Sequence, residues 1–163
     1  MHLPAAERIR ARGLRATRPR VAVLDVLDAA TDDRHLAVAD VCARVRADLG
    51  AVSTQAVYDC LEALTSAGLA RRIEPAGHPA RYESRVGDNH HHLVCRGCGR
   101  TVDVDCAIGA APCLEPSSSQ GFVVDEAEVT FWGRCPSCTT RAEVDDPAPA
   151  ARPITPHPGE DPR

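Results

Sequence analysis

Through the first half of the chain apolar residues recur at helical spacing, and afterwards they alternate with polar ones. Residues Pro4 to Arg12 read as a short polar helix broken by Gly13. Thr17 is placed to cap a second helix from Arg18 to Ala30, in whose first turn the missing N–H of Pro19 costs nothing. A third helix follows His35, with Val38, Val41, Cys42, Val45 and Leu49 on one stripe and Gly50 as its stop. Ser53 then caps a helix over Thr54 to Ala67, striped by Val57, Cys60, Leu61 and Leu64 and ended by Gly68. Its opposite face opens with Thr54, Gln55, Tyr58 and Asp59. Two short extended segments, Leu69 to Glu74 and Ala80 to Glu83, join through a Pro/Gly turn at Pro75 to Pro79. Three helices with a short connection before the last, then a hairpin, predict a winged helix-turn-helix, with the helix from Thr54 placed to enter a major groove.

Beyond Val86 the pattern changes. Strands are expected at His91 to Cys95, Thr101 to Asp105 and Phe122 to Trp132, where Val129 and Phe131 alternate with Glu128 and Thr130. Pro112 and Pro116 leave no room for a long helix between the last two. From about Glu143 the chain is Ala, Pro and Asp, with six of its 13 prolines beyond Asp146, and is expected to be a disordered tail. The predicted class is α+β: a winged-helix domain over 1–86, a small α/β domain over 87–142 and a tail over 143–163.

Charge sharpens this division. Through Val86 there are 13 Arg against 11 Asp plus Glu, and beyond it 6 against 12. All 19 basic residues are Arg, and Arg8, Arg10, Arg12, Arg15, Arg18 and Arg20 form one dense run. Such a run is either the footprint of a phosphate backbone or a solvated helix face. No stretch is apolar enough to span a membrane and no signal pattern opens the chain, so a cytoplasmic protein is expected.

Eight cysteines in this context point to metal more than to disulfides. Cys95-x-x-Cys98 and Cys135-x-x-Cys138 would provide four sulfurs from two knuckles at opposite ends of one small sheet, a closed structural Zn²⁺ site; a redox thiol site is the competing reading. Arg96, Arg100 and Arg134 stand beside these ligands to offset their charge. Cys42 and Cys60 fall on apolar stripes and are expected in the core, while Cys106 and Cys113 carry no evident role. In Asn89 to Gly99, reading NHHHLVCRGCG, a strand would put His90 and His92 on one face and His91 on the other. Glu83 precedes them and Asp103 follows. Two imidazoles and two carboxylates suit Fe²⁺, Mn²⁺ or Zn²⁺, and a solvated histidine cluster is the alternative.

Gly13-Leu14-Arg15, Thr17 to Arg20, STQAVYDCLEAL from Ser53, Ala67-Gly68-Leu69, HHHLVCRGC and the late Cys-x-x-Cys together resemble the ferric uptake regulator (Fur) family from about Arg8 to Cys138. RYESRVGDNHHH and FWGRCPSC are similar in particular to its FurA type, encoded beside a catalase-peroxidase. The resemblance implies a homodimeric, metal-dependent repressor of a palindromic double-stranded DNA operator, the second domain serving dimerisation. It implies a regulatory Fe²⁺ or Mn²⁺ site of His35, Glu83, His90, His92 and Asp103, and DNA contacts from Arg15, Ser53, Thr54, Gln55 and Tyr58. Asn89, Ala110 and Ala127 stand where ligands of a further family metal site fall, so that site is not expected, and Asp59 stands where many members carry Arg.

Asp at position 103 resembles the peroxide-sensing branch, in which Fe²⁺ and hydrogen peroxide oxidise a ligand histidine, here His35 or His90. The implied function is control of catalase-peroxidase genes and of its own gene; iron-responsive repression of uptake genes is the alternative, with zinc or nickel sensing third. Outside this class, a metallohydrolase would need an open metal position beside a general base, whereas the ligand set looks full. A structural zinc module that binds a protein would leave the Arg run and the helix-turn-helix without a use.

Overall fold

The computed structural model describes residues 3–31, 34–88, 90–106, 114–124 and 127–145. Helices α1 (Ala5–Ala11), α2 (Arg18–Asp28), α3 (Val38–Leu49) and α4 (Thr54–Ser66) form the first layer. Three short strands, β1 (Leu36–Ala37) between α2 and α3 and β2 (Arg71–Ile73) and β3 (Arg81–Glu83) after α4, form a wing sheet in the order β1-β3-β2. A second sheet holds β4 (His90–Cys95), β5 (Thr101–Asp105) and β6 (Thr130–Gly133) in the order β5-β4-β6, and α5 (Pro136–Asp145) closes the described chain.

The helices form where apolar residues fall on one face. In α4, Val57, Cys60, Leu61 and Leu64 sit at i, i+3, i+4 and i+7, and all are buried against Val23, Leu24 and Leu27 of α2 and Val41, Cys42 and Val45 of α3. Ser53 Oγ accepts from the Ala56 N–H at 3.1 Å and so caps α4 as its sequence predicts. Arg46 of α3 fixes the turn between α3 and α4, donating to the Val52 carbonyl at 2.9 Å and to Thr54 Oγ1 at 2.8 Å. Gly50 takes a φ of 81° there, which a side chain would strain. Helix-turn-helix and wing are thus present, and with the second α/β layer the fold is α+β.

Four features differ from expectation. Strand β1 has only two residues, too few to show an alternation, yet it pairs antiparallel with β3 through Leu36–Tyr82 and Ala37–Arg81. Strand β6 begins at Thr130, because Phe122 and Val123 are exposed and have no partner strand among the described residues. Helix α5 was not anticipated: Pro136 opens it at the position where a missing N–H is harmless, and it runs to Asp145, into the stretch read as tail. The two Cys-x-x-Cys knuckles lie at the same end of the sheet, not at opposite ends, because β6 runs parallel to β4 with Cys95 opposite Gly133. Cys113, Asn89, Ala110 and the tail beyond Asp145 lie outside the described residues.

Leu61 has no exposed surface, whereas Tyr58, one turn away on the same helix, is 46% exposed. Leu61→Ala is therefore expected to cost about 2–5 kcal/mol in urea unfolding and Tyr58→Ala well under about 1 kcal/mol; equal shifts would show that the face of α4 is misassigned.

Candidate metal centres and nucleic-acid interface

Two cross-strand pairs build the first centre. In the wing sheet, the residues next in register after Leu36 and Tyr82 are His35 and Glu83; in the second sheet, His92 is paired with Asp103. These four side chains converge so that one ligand atom from each lies within 4.8 Å of the others. His35 Nε2 stands 2.8 Å from Asp103 Oδ1 and 3.4 Å from Glu83 Oε2, and His92 Nε2 stands 3.2 Å from Glu83 Oε1. His90 adjoins this set without joining it, its Nε2 3.2 Å from Glu83 Oε1 and 4.0 Å from Asp103 Oδ1. His90 and His92 do share a face of β4, and their rings meet edge-on at 5.0 Å.

Glu83 and His92 are fully buried and His35 almost so. Burial by itself would raise the Glu83 pKa, but contacts from His35, His90 and His92 overcome it and hold the carboxyl ionised, well below its usual range. His90 is pushed up, first by Glu83 and against its own burial, with Asp88 adding to the rise. Glu83 Oε2, Asp103 Oδ1 and His35 Nε2 are buried and lack a hydrogen-bond partner despite their closeness. His90 and His92 are within hydrogen-bonding reach of Glu83 Oε1, but Glu83 Oε2, Asp103 Oδ1 and His35 Nε2 face one another without hydrogen-bond alignment, which fits a shared divalent cation.

Two residues that sequence reading missed support the set. Asp88 Oδ1 accepts from His90 Nδ1 at 2.8 Å, and Arg81 Nη1 donates to the His35 carbonyl at 2.8 Å. The Asp88-x-His90 spacing was a visible signal for the first; the second depends on the unseen β1.

The second centre brings together Cys95, Cys98, Cys135 and Cys138, their sulfurs within 4.8 Å of one another, with Cys98 and Cys135 at 3.7 Å. The Cys135 N–H, pointing at Cys95 Sγ from 3.3 Å, draws the Cys95 pKa down to about 6 against the effect of burial. The thiols of Cys135, Cys98 and Cys95 push Cys138 up to about 12. Four sulfurs so close resist joint ionisation unless a dication lies among them, which is the tetrahedral donor set of structural zinc. Cys42 and Cys60, by contrast, are buried in the helical core.

At the α4 surface Ser53, Thr54, Gln55 and Tyr58 are exposed, as is Arg15. Gln55 Nε2 donates to Asp59 Oδ1 at 2.8 Å, so the acidic residue is tied to the helix face. The Arg run is partly committed within the fold: Arg8 pairs with Asp28 at 2.6 Å and Arg20 donates to the Arg15 carbonyl. No described helix is long and apolar enough to cross a membrane.

A winged helix-turn-helix joined to a small sheet domain is the architecture of a DNA-binding transcriptional regulator, and the His35, Glu83, His92 and Asp103 cluster that spans the two sheets has the donor set for a divalent cation. The chain matches the Ferric uptake regulator family over residues 11–132 and belongs to that family. It is 58% identical over 134 residues to the transcriptional regulator FurA of Mycobacterium tuberculosis (strain ATCC 25618 / H37Rv), covering 82% of this chain and 89% of that protein. It is 55% identical over 133 residues to ferric uptake regulation protein 2 of Mycolicibacterium fortuitum, covering 80% and 90%. The ferric uptake regulator of Pseudomonas aeruginosa, solved with manganese, superposes with a TM-score of 0.66 at 28% identity, covering 83% of this chain and 99% of that one.

A Cβ built on Gly97 would lie 3.0 Å from Cys138 Sγ and 3.2 Å from its Cβ, whereas one on Gly133 meets only Leu93 at an ordinary 3.8 Å. Gly97→Ala is expected to lose zinc to a chelator at least about tenfold faster than wild type, and Gly133→Ala to match wild type. Equal release from all three would show that the turn is not fitted to the metal.

Proposed function

We propose that this regulator is a homodimeric repressor that binds a palindromic double-stranded DNA operator only when a divalent cation joins His35, Glu83, His92 and Asp103, with His90 as a further ligand. The observation that carries this reading is that the four converging groups come in pairs from two different sheets. A cation held there ties the wing to the second domain, taking the division of the chain at Val86–Gly87 as the hinge. To move such an equilibrium from 1:99 to 99:1 the cation must prefer the closed form by about 5.5 kcal/mol, well within ligand binding energies. The Cys₄ centre is then a scaffold Zn²⁺ site of the dimerisation domain, and Arg15, Ser53, Thr54, Gln55 and Tyr58 contact DNA.

Fe²⁺ or Mn²⁺ suits the imidazole–carboxylate set, as Zn²⁺ suits the thiolates. Fe²⁺ supplies one-electron reactivity toward hydrogen peroxide. The protein then contributes an oxidisable ring: His35 or His90 gains one oxygen from peroxide, water leaves, a donor nitrogen is lost and the two sheets are released. Access is available, since a cleft of about 320 Å³ is lined by His35, Asp103 and Arg85. Asp103, and the resemblance of RYESRVGDNHHH and FWGRCPSC to the type encoded beside a catalase-peroxidase, support peroxide sensing and control of catalase-peroxidase genes. The names of the Mycolicibacterium relatives favour the second reading, iron-responsive repression of uptake genes. With four ligand groups from two sheets gathered within 4.8 Å of one another, a hydrolytic role gains no support.

DNA binding in a mobility-shift assay is expected to rise at least about tenfold with Mn²⁺ in wild type and not in His92→Ala; binding that survives chelation would count against the repressor reading. Peroxide should add 16 Da to His35 or His90 in the Fe²⁺ form and not in the Mn²⁺ form, as read by peptide mass spectrometry. Intact histidines after release from DNA, with iron loss alone causing the release, would favour the iron-responsive reading.

A further inference from the structure

Arg85, on the segment leaving β3, makes three charged contacts at once. Its Nε donates to Asp88 Oδ2 at 2.6 Å, Nη1 to Asp103 Oδ2 at 3.3 Å and Nη2 to Asp105 Oδ1 at 2.8 Å. Two of these lead straight into the histidine–carboxylate cluster. Asp88 turns its other oxygen to His90 Nδ1 at 2.8 Å, and Asp103 turns its other oxygen to His35 Nε2 at 2.8 Å. We propose that Arg85 is a positioning residue of the cation site, a fork that fixes His90 through Asp88 and restricts Asp103 to presenting a single oxygen. The inference rests on reading the cluster as a divalent-cation site.

Stability alone does not account for this network. The Asp105 side chain is 87% exposed and that of Asp88 43%, and surface ion pairs of this kind contribute little to folding; the one sheltered pair, with Asp103, is also the longest at 3.3 Å. What the fork does achieve is orientation. With its Nδ1–H donated to Asp88, His90 aims Nε2 toward Glu83 and Asp103, so that a cation displacing the proton there would meet the Nε2 lone pair. With Oδ2 taken by Nη1, Asp103 cannot swing both oxygens inward, which preserves the place beside it that His90 faces at 4.0 Å. Because Asp88 and Arg85 lie on the segment between the sheets and Asp103 on β5, one planar guanidinium sets both from the same side. Lysine cannot reproduce this, having a point charge in place of a fork.

Charge and position predict opposite signs. A cation near the site repels a dication, so if Arg85 acted only through charge its removal would strengthen metal binding. If it positions ligands, removal weakens binding by roughly 10–100-fold, the effect of losing an outer partner of a metal ligand.

The test uses the full-length zinc-loaded protein, with Mn²⁺ titrated against a competing chelator and the bound ion observed by electron paramagnetic resonance. Wild type, Arg85→Ala, Arg85→Lys and His92→Ala are compared. Arg85→Ala is expected to bind Mn²⁺ roughly 10–100-fold more weakly with a changed spectrum, and Arg85→Lys to resemble it. Should Arg85→Ala fail to fold by circular dichroism, Arg85→Lys carries the comparison. Binding by Arg85→Ala that is as tight as wild type or tighter, or full rescue by lysine, overturns the role of Arg85 alone. Wild type that does not bind Mn²⁺, or binds it equally without His92, overturns the metal-site reading beneath it.

Discussion

The whole arrangement depends on Glu83, a carboxylate with no exposed surface, sitting among three imidazoles. A buried charge is tolerated only when paired or coordinating a metal, and removing one partner of such a group typically costs about 3–5 kcal/mol. Glu83 belongs to the wing sheet, while His90 and His92 belong to the second sheet. The demand for partners therefore acts between the two halves of the molecule. Apolar packing could hold them together, but it would be insensitive to any solute. A polar centre that is closed only by groups from both sides would make the junction responsive to a bound cation, as the proposed function requires.

Strand β4 turns this local demand into architecture. Its first residues face the wing sheet through His90 and His92, and its last residue opens the Cys95–Gly99 turn. The ring of His78, from the wing turn, lies so close to Gly99 that a Cβ there would meet its Cγ at 2.7 Å. Both ends of one strand thus touch the winged-helix half, one through a cation-ready cluster and the other beside a thiolate cluster. The Cys₄ centre stiffens the strut by joining β4 to β6 and α5, whose first turn starts on the Cys135 carbonyl. Arg96 packs over Trp132 with its guanidinium carbon 5.0 Å from the ring centroid, keeping positive charge beside the sulfurs.

Much of this was legible from residues. Helix stripes at 3.6-residue spacing placed the core of α3 and α4, and ligand chemistry picked out both clusters, because thiolate and imidazole pairs at short spacing have few other uses. What stayed hidden was set by non-local pairing. A two-residue β1 has no periodicity to detect, yet it alone puts His35 next to Glu83 in register. The parallel run of β6 beside β4, which places both knuckles at one end, is equally invisible, since strand alternation is the same in either direction. His91, which fell on the opposite face from its neighbours, is buried as well, its ring 6.3 Å from that of Phe131. Alternation assigned its face and could not reveal that this face too is covered.

The DNA-binding half has a modest electrostatic hold on a polyanion. Its excess of charge is only +2 through Val86, two of the six clustered arginines are engaged within the fold, and Asp59 adds an acidic group to the exposed face of α4. Phosphate contacts supply most non-specific affinity, so a weak footprint means that a single half binds poorly. In the proposed homodimer the affinity would come from two copies of α4 meeting two half-sites together, and would depend on the angle between each wing and the second domain. Under the proposed function the low charge and the His35–Glu83–His92–Asp103 cluster are complementary: a strongly basic domain would cling to DNA whatever its geometry, whereas a weakly basic one would leave the decision to the groups gathered around Glu83.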